Sequence, residues 1–326
     1  MAATTVWTGS SSGGVFNDDA NWSSLAPGHT NPSSDLGIFN NSTNVDGTIT
    51  FDADITQYRQ FIQNDAGTIS FDTGTHKWTT TDYFLVGAAD APGFPKIKLI
   101  GGEFDFAYVL LGTEDTGPNP SIEVTGSNTV IHTTRGSGGY QIGLQSDGAS
   151  ILVHNGGTMM ADGQVIIGLV GSSNSNLTVD GTGSTLIAGN YLGVGHTGDA
   201  FAGDATGNSA DIINGASATA SNIYMGITPG AHDNTLLVSA ATFMLTGVNG
   251  NDGAITAIGR QGSNNLFQID NGAVVSGNNR IVLGLEATST NNQILINNGS
   301  LSGTSLEINQ GSVSVTKGTV DLVQYY

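Results

Sequence analysis

The chain has 326 residues, no cysteine, and 8 lysines plus arginines against 27 aspartates plus glutamates, which gives a net charge of −19. This charge argues against nucleic acid and anionic membranes as partners, and the lack of cysteine excludes disulfides, thiolate catalysis and cysteine-ligated zinc. With 48 glycines, 38% hydrophobic residues at even spacing and only 11% charged residues, the composition favours a folded, β-rich protein.

The first segment, residues 1–46, differs from the rest of the chain. It holds Trp7, Phe16, Trp22 and Phe39 among serine, glycine, asparagine and proline. The first open edge of a repeat protein has to be covered, because exposed strands template aggregation, and aromatic side chains suit a lid over an apolar core. We predict that this segment is an N-terminal cap or attachment segment.

Strand signals begin near residue 47, and residues 47–83 are predicted to form irregular first coils. From residue 84 to 315 a short apolar run ending in glycine recurs, and the separations between these glycines are 25, 31, 25, 27, 31, 33 and 25 residues. Such near-constant spacing indicates a repeat array with insertions in one loop. The glycines, predicted to be structural corner residues, are Gly87, Gly112, Gly143, Gly168, Gly195, Gly226, Gly259 and Gly284.

Between these glycines, short alternating strands end in turns such as Asn271-Gly272 and Asn298-Gly299. No segment has the 3.6-residue apolar stripe of a helix, and the period is too short for a propeller blade. Three short strands and three turns per coil account for it, so we predict an all-β parallel solenoid whose coils stack at about 4.8 Å. Corner glycines supply positive φ, and recurring asparagines could form amide ladders along the stack.

Longer insertions follow Gly112 (113–120) and Gly195 (196–208), and a third lies around 248–254. Loops that protrude from a rigid repeat usually carry binding. The C-terminal segment, 316–326, is apolar and aromatic, and is predicted to be a cap or an oligomerisation strand.

The opening pattern around Trp7, Phe16 and Trp22, followed by repeated apolar units closed by Asn-Gly and glycine, resembles autotransporter-passenger and related secreted parallel β-helix proteins. The resemblance implies a right-handed β-helix exposed outside a cell. The sequence shows neither a secretory signal nor a downstream membrane barrel, so either a signal has been removed or the protein is made without one. β-Helical shafts without signals are typical of phage tailspikes, fibres and capsid decoration proteins.

Polysaccharide lyases and hydrolases on such a fold use acid clusters, and glycoside hydrolysis would need two carboxylates about 5 to 9.5 Å apart. Glu103 and Asp105 alternate onto one face of a strand, and Glu123 follows one coil later. These acids are candidates for a catalytic pair, and the alternative is that they lie on solvated strand faces. Other acids are expected to sit in turns, namely Asp147, Asp162, Asp180 and Asp270.

Metal and ligand signals are weak. His29, His76, His132, His154, His196 and His232 lack metal-like spacing. The 196–208 loop has glycines and aspartates at intervals similar to those of a calcium loop, but it lacks the residue order and the terminal glutamate of that motif. The alternative to a calcium site is a flexible insertion. Three aromatic residues, Phe94, Phe201 and Tyr224, are candidates for stacking on sugars, and the alternative is that they pack in the core or the lid.

From these features we predict a non-enzymatic structural protein of a phage virion, namely a capsid decoration, cement or fibre-like rod. Its expected partners are other virion proteins and copies of itself, with a surface glycan as a further partner, and no cofactor or metal is expected. The alternatives are a secreted bacterial adhesin or surface-layer protein, and a tailspike-like polysaccharide depolymerase.

Overall fold

The computed structural model describes residues 4–29, 31–40, 45–64, 67–87, 95–112, 119–136, 139–144, 146–196, 204–247 and 254–323. Within these ranges the chain is a parallel β-solenoid, which confirms the predicted fold class. The described part contains no helix that could span a membrane. Its elements are β1 (Thr4–Val6), β2 (Gly13–Val15), a 3-10 turn (Asp19–Asn21), β3 (Leu36–Phe39), β4 (Gly47–Thr50), β5 (Ile55–Gln57), β6 (Arg59–Ile62), β7 (Thr68–Val86), β8 (Lys96–Leu111), β9 (Ser121–Thr125), β10 (Val130–Thr133), β11 (Gly139–Leu144), β12 (Ser150–His154), β13 (Thr158–Ala161), β14 (Gln164–Leu169), β15 (Asn176–Asp180), β16 (Thr185–His196), β17 (Ser209–Ile213), β18 (Ser217–Met225), β19 (Thr235–Ser239), β20 (Thr242–Leu245), β21 (Ile255–Ile258), β22 (Leu266–Asp270), β23 (Val274–Gly277), β24 (Arg280–Leu283), β25 (Asn292–Asn297), β26 (Ser300–Gly303), β27 (Ser305–Ile308), β28 (Gly311–Thr316) and β29 (Thr319–Leu322).

Each strand pairs in parallel with the equivalent strand one coil away, so the coils form three long sheets. Sheet 1 runs from β1 through β3, β11 and β14 to β27, sheet 2 from β2 through β9 and β12 to β28, and sheet 3 from β5 through β10 and β13 to β29. The long strands β7, β8, β16 and β18 bend around corners and contribute to more than one sheet. The coil is therefore triangular, with one sheet on each side.

The core is a column of like side chains inside this triangle. Alternate residues of a strand point to opposite faces, and in sheet 2 one inward position is occupied in successive coils by aliphatic and aromatic residues in register. These residues are Ile151, Leu177, Ala210, Leu236 and Phe267, all at most 1% exposed. Regular alternation of apolar residues in the sequence thus becomes stacking between coils.

The aromatic residues predicted for the cap meet in one cluster at the first end of the solenoid. The Trp7 and Trp22 ring centroids are 5.3 Å apart, and Phe16 lies 5.1 Å from Trp22. The Trp22 indole nitrogen donates to the Phe16 carbonyl at 2.7 Å. Strands β1 and β2 already pair with β3 and β4, so this segment contains the first coil as well as the aromatic cover over it.

One outward carboxylate of sheet 2 is unfavourably placed. Burial raises the pKa of Asp211 above its ordinary value of 3.8. A hydrogen bond from the Asn176 amide, at 3.2 Å, lowers that pKa by less than burial raises it. A raised folded-state pKa means that the stability contribution of Asp211 falls as the pH rises through that pKa.

We therefore expect Asp211→Asn to stabilise the protein at pH 7 by up to about 1 kcal/mol, since the neutral amide avoids the desolvation cost. The gain should disappear at pH values below the ordinary carboxyl pKa, where the wild-type group is protonated in both states. Urea unfolding at both pH values checks this. Equal gains at both pH values would show that the effect is not electrostatic.

Candidate functional site

The eight predicted corner glycines all have left-handed backbone conformations. Their φ angles lie between 56° and 77°, a region that residues with a Cβ rarely adopt. A Cβ on Gly168, Gly195, Gly226 or Gly259 would also overlap the side chain of an asparagine in the following coil. These corners therefore need glycine for two reasons, backbone conformation and space.

The asparagines that face these glycines form a buried ladder along the corner between sheets 1 and 2. Asn208, Asn234, Asn265 and Asn292 are each fully buried. From coil to coil, the side-chain amide nitrogen donates to the next Oδ1 at 3.0 Å in all three steps. The backbone N–H of each of the first three donates to the same oxygen. The ladder thus ties four coils together inside the protein.

A second polar feature lies on the outer face of sheet 3 in the N-terminal half. It is a cleft of about 490 Å³. Charged and polar side chains supply much of its wall, with backbone from two glycines. Its lining residues are Asp54, Gly74, Thr75, His76, Lys77, Gly102, Glu103, Asn128 and Val130.

Lys77 joins the two carboxylates that the sequence singles out. Its Nζ contacts Glu103 Oε2 at 3.4 Å and also contacts Asp105 Oδ2. The hydrogen bond to Asp105, together with the charge of both carboxylates, raises the pKa of Lys77. The structure thus brings Glu103 and Asp105 together around the ammonium group of Lys77. In a catalytic pair these carboxylates would instead act on a glycosidic bond.

His132 lies in the coil after Asp105 and contacts a carboxylate of the coil on either side of it. Its Nδ1 lies 3.4 Å from Asp105 Oδ1, and its Nε2 lies 2.9 Å from Asp162 Oδ1. His132 is in register with Asp105 on the neighbouring strand. The connected set Lys77, Glu103, Asp105, His132 and Asp162, which we call the sheet 3 network, links four successive coils.

Glu123 is not part of the sheet 3 network, because it lies on sheet 2. Lys98 Nζ and His154 Nε2 contact its Oε1 at 2.9 and 2.8 Å. Burial would raise the pKa of Glu123, but the hydrogen bonds and charges of Lys98 and His154 outweigh it and lower that pKa below 4.5. The expectation that Glu123 joins the Glu103 and Asp105 pair is wrong, since the intervening corner turns β8 from sheet 2 to sheet 3.

Sequence reasoning missed most of these histidine contacts. The histidines have no short metal-like spacing in the sequence, and the described residues contain no metal-binding cluster of three or more ligands. Most of the histidines instead pair with carboxylates, some of them a full coil away. Asp105 and His132 are separated by 27 residues, and Glu123 and His154 by 31. Both separations lie in the range of the coil lengths, which points to pairs one coil apart but does not identify the partner of each histidine.

A further cluster of aromatic and cationic residues lies at the corner before sheet 1. The Tyr83 and Tyr108 rings stack at 5.6 Å. Arg59 lies 5.0 Å from the Tyr83 ring, and Arg135 lies 4.6 Å from the Tyr108 ring. These ring faces are occupied by each other and by guanidinium groups, which fits a structural stack that holds coils together.

Three remaining sequence predictions have different outcomes. Asp147 and Asp162 lie in a turn and a bend as expected, whereas Asp180 and Asp270 are the last residues of β15 and β22. Tyr224, considered as an exposed sugar platform, is buried against Ile227 and Ala257. Phe94, Phe201 and most of the 113–120, 196–208 and 248–254 insertions lie outside the described residues.

No protein-family profile, curated protein or solved structure matches the chain.

Proposed function

We propose that the chain is a non-enzymatic structural protein of a phage virion, a rigid β-solenoid that serves as a capsid decoration, cement or fibre-like component. It assembles with copies of itself and with other virion proteins. The observation that carries this proposal is the buried asparagine ladder, in which four coils are joined by 3.0 Å amide bonds inside a continuous apolar core. Such a ladder makes the rod stiff, because the amide groups form hydrogen bonds that hold neighbouring coils together.

The surface charges support the same role. The sheet 3 network, and the contacts of Glu123 with Lys98 and His154, join successive coils through side chains that are partly exposed. A ligand-binding site would instead keep polar groups free to meet the ligand. Each surface pair contributes little by itself, but a lattice of them adds resistance to local opening of the coils.

A polysaccharide depolymerase is the second candidate, and the cleft on sheet 3 is the observation that favours it. Glu103 lines the cleft, with Asp105 alongside through Lys77. Two carboxylates and a polar groove are the minimum for glycoside hydrolysis. In that case the sheet 3 network would have to open when a sugar chain enters, which would release Glu103 and Asp105 from Lys77.

Gold-labelled antibody against the purified chain tests the proposal on phage particles and on the bacterial cells that produce them. We expect regular labelling of the particle head or tail and none on uninfected cells. In parallel, the purified chain should leave the viscosity of the host capsular polysaccharide unchanged. Labelling confined to the cell surface would replace the proposal by the adhesin alternative, and a fall in viscosity would replace it by the depolymerase.

A further inference from the structure

Asparagine followed by glycine is the pair most prone to lose its side-chain amide without an enzyme, because glycine has no side chain to hinder its backbone nitrogen. The sequence contains five such pairs, and four of them lie in the described residues. Each of these four asparagines is exposed at a corner between sheets 2 and 3, with φ between 53° and 57°. The four pairs are Asn155-Gly156, Asn214-Gly215, Asn271-Gly272 and Asn298-Gly299.

In three of these four pairs, neighbouring coils hold both groups that would react. The reaction joins the glycine backbone nitrogen to the asparagine side-chain carbon, so hydrogen bonds to either group oppose their approach. In the third pair, Asn271 Nδ2 donates to Ser239 Oγ at 2.8 Å, and the Gly272 N–H donates to the Asn298 carbonyl. The first two pairs form equivalent bonds, from Asn155 to Thr125 and Gly156 to Ser184, and from Asn214 to Asp180 and Gly215 to Ala240.

The fourth pair lies in a shorter corner. Three residues, 271–273, connect β22 to β23, whereas only Asn298 and Gly299 connect β25 to β26. Gly272 has a φ of 80°, but Gly299 lies outside the left-handed region. Within the described part of the chain, no hydrogen bond holds the Asn298 side-chain amide or the Gly299 N–H. The two reacting groups are therefore less restrained here than in the other three pairs.

We propose that Asn298 is the asparagine of the described chain that deamidates first, by spontaneous attack of the Gly299 backbone nitrogen. That nitrogen loses its proton to hydroxide and bonds to Asn298 Cγ, the Cγ–Nδ2 bond breaks, and the amide group takes up a proton and leaves as ammonia. Water then opens the succinimide ring, at one carbonyl to give aspartate and at the other to give isoaspartate. Either product adds a carboxylate, which is ionised at pH 7.

Deamidation at this position changes the contacts of the corner with the coils on both sides. The Asn298 N–H donates to the Thr316 carbonyl at 2.8 Å, and the Asn298 carbonyl accepts from the Gly272 N–H. In isoaspartate the backbone runs through Cβ and Cγ and gains one carbon, so these two bonds can no longer keep their geometry. The chain thus acquires a negative charge and a loosened corner with time after synthesis, wherever the rod is used.

Peptide mapping of the 326-residue chain during storage in mildly alkaline buffer tests this inference. Trypsin cleaves after lysine and arginine, so Asn271 falls in peptide 261–280 and Asn298 in peptide 281–317, each with one Asn-Gly pair. We expect conversion at Asn298 to be at least about tenfold faster than at Asn271, since reaction at Asn271 first requires two hydrogen bonds to open. Mass spectrometry with fragmentation locates the modified residue and distinguishes isoaspartate from aspartate.

The same chain in concentrated urea is the matched control, because unfolding releases both pairs, and the two rates should then become similar. Equal rates in the folded chain, or faster conversion at Asn271, would overturn the inference. A difference that persists in urea would also overturn it, because the difference would then come from the local sequence and not from the fold. Circular dichroism during storage shows that the chain in the first measurement stays folded.

Discussion

Asn265→Ala should lower the free energy of unfolding by about 3 to 4 kcal/mol, through loss of hydrogen bonds to buried groups. Asn265 Oδ1 accepts from the backbone and side-chain nitrogens of Asn234, at 3.2 and 3.0 Å. Its own Nδ2 donates to Asn292 Oδ1 at 3.0 Å and to the Ser263 carbonyl at 3.1 Å. Alanine would leave two buried donors of Asn234 without their acceptor, in a site that water cannot reach.

Urea denaturation measures this effect, and hydrogen exchange locates it. Asn297→Ala is the matched control, because Asn297 lies on the neighbouring strand β25 but is exposed. We expect its free energy of unfolding to change by no more than about 0.5 kcal/mol, as for most surface substitutions. Faster exchange in Asn265→Ala should centre on the corner between sheets 1 and 2. Equal effects of the two substitutions would mean that the buried ladder has no special role.

Gly259→Ala should be at least as damaging, with an expected loss of about 3 to 5 kcal/mol from backbone strain and displacement of the ladder. Gly259 has a φ of 73°, where an alanine is strained. Its added Cβ would fall on the Asn292 side chain, so the substitution also pushes that amide away from Asn265. Denaturation and exchange measured as above should show the same corner opening.

Gly272→Ala separates the two causes. Gly272 has a similar φ of 80°, but a Cβ there would meet nothing within 4 Å. We therefore expect it to lose only about 1 kcal/mol, the cost of placing alanine in a left-handed conformation. The difference between the two variants measures the close contact between corner glycine and ladder. If Gly272→Ala were as harmful as Gly259→Ala, backbone conformation alone would explain the corner glycines.

The two classes of residue also explain what the sequence could predict about the candidate sites. The corner glycines recur with the period of the coil, so their positions could be read from spacing alone. The asparagine ladder was anticipated as a type of contact, but its members were not, because asparagine occurs in several turns of each coil. Asn264 and Asn265 are adjacent, yet Asn264 adopts a φ of 58° while Asn265 faces inward.

The contacts of charged residues depended on the corners. Glu103 and Glu123 are 20 residues apart, less than one full coil, so they fall on different sheets. Glu123 and His154 are 31 residues apart and meet in the structure. Insertions change the coil length by several residues, so spacing alone does not show which acid and base share a column.

The amino-acid sequence by itself determined the repeat, the strand content, the corner glycines and the apolar columns, because each follows from local periodicity of two residues within strands and about 25 to 33 between coils. Only the tertiary structure decided which side chains meet across coils. Those contacts join residues a coil apart, and each insertion or corner shifts the partner by a residue or more, which changes the face on which a side chain lies.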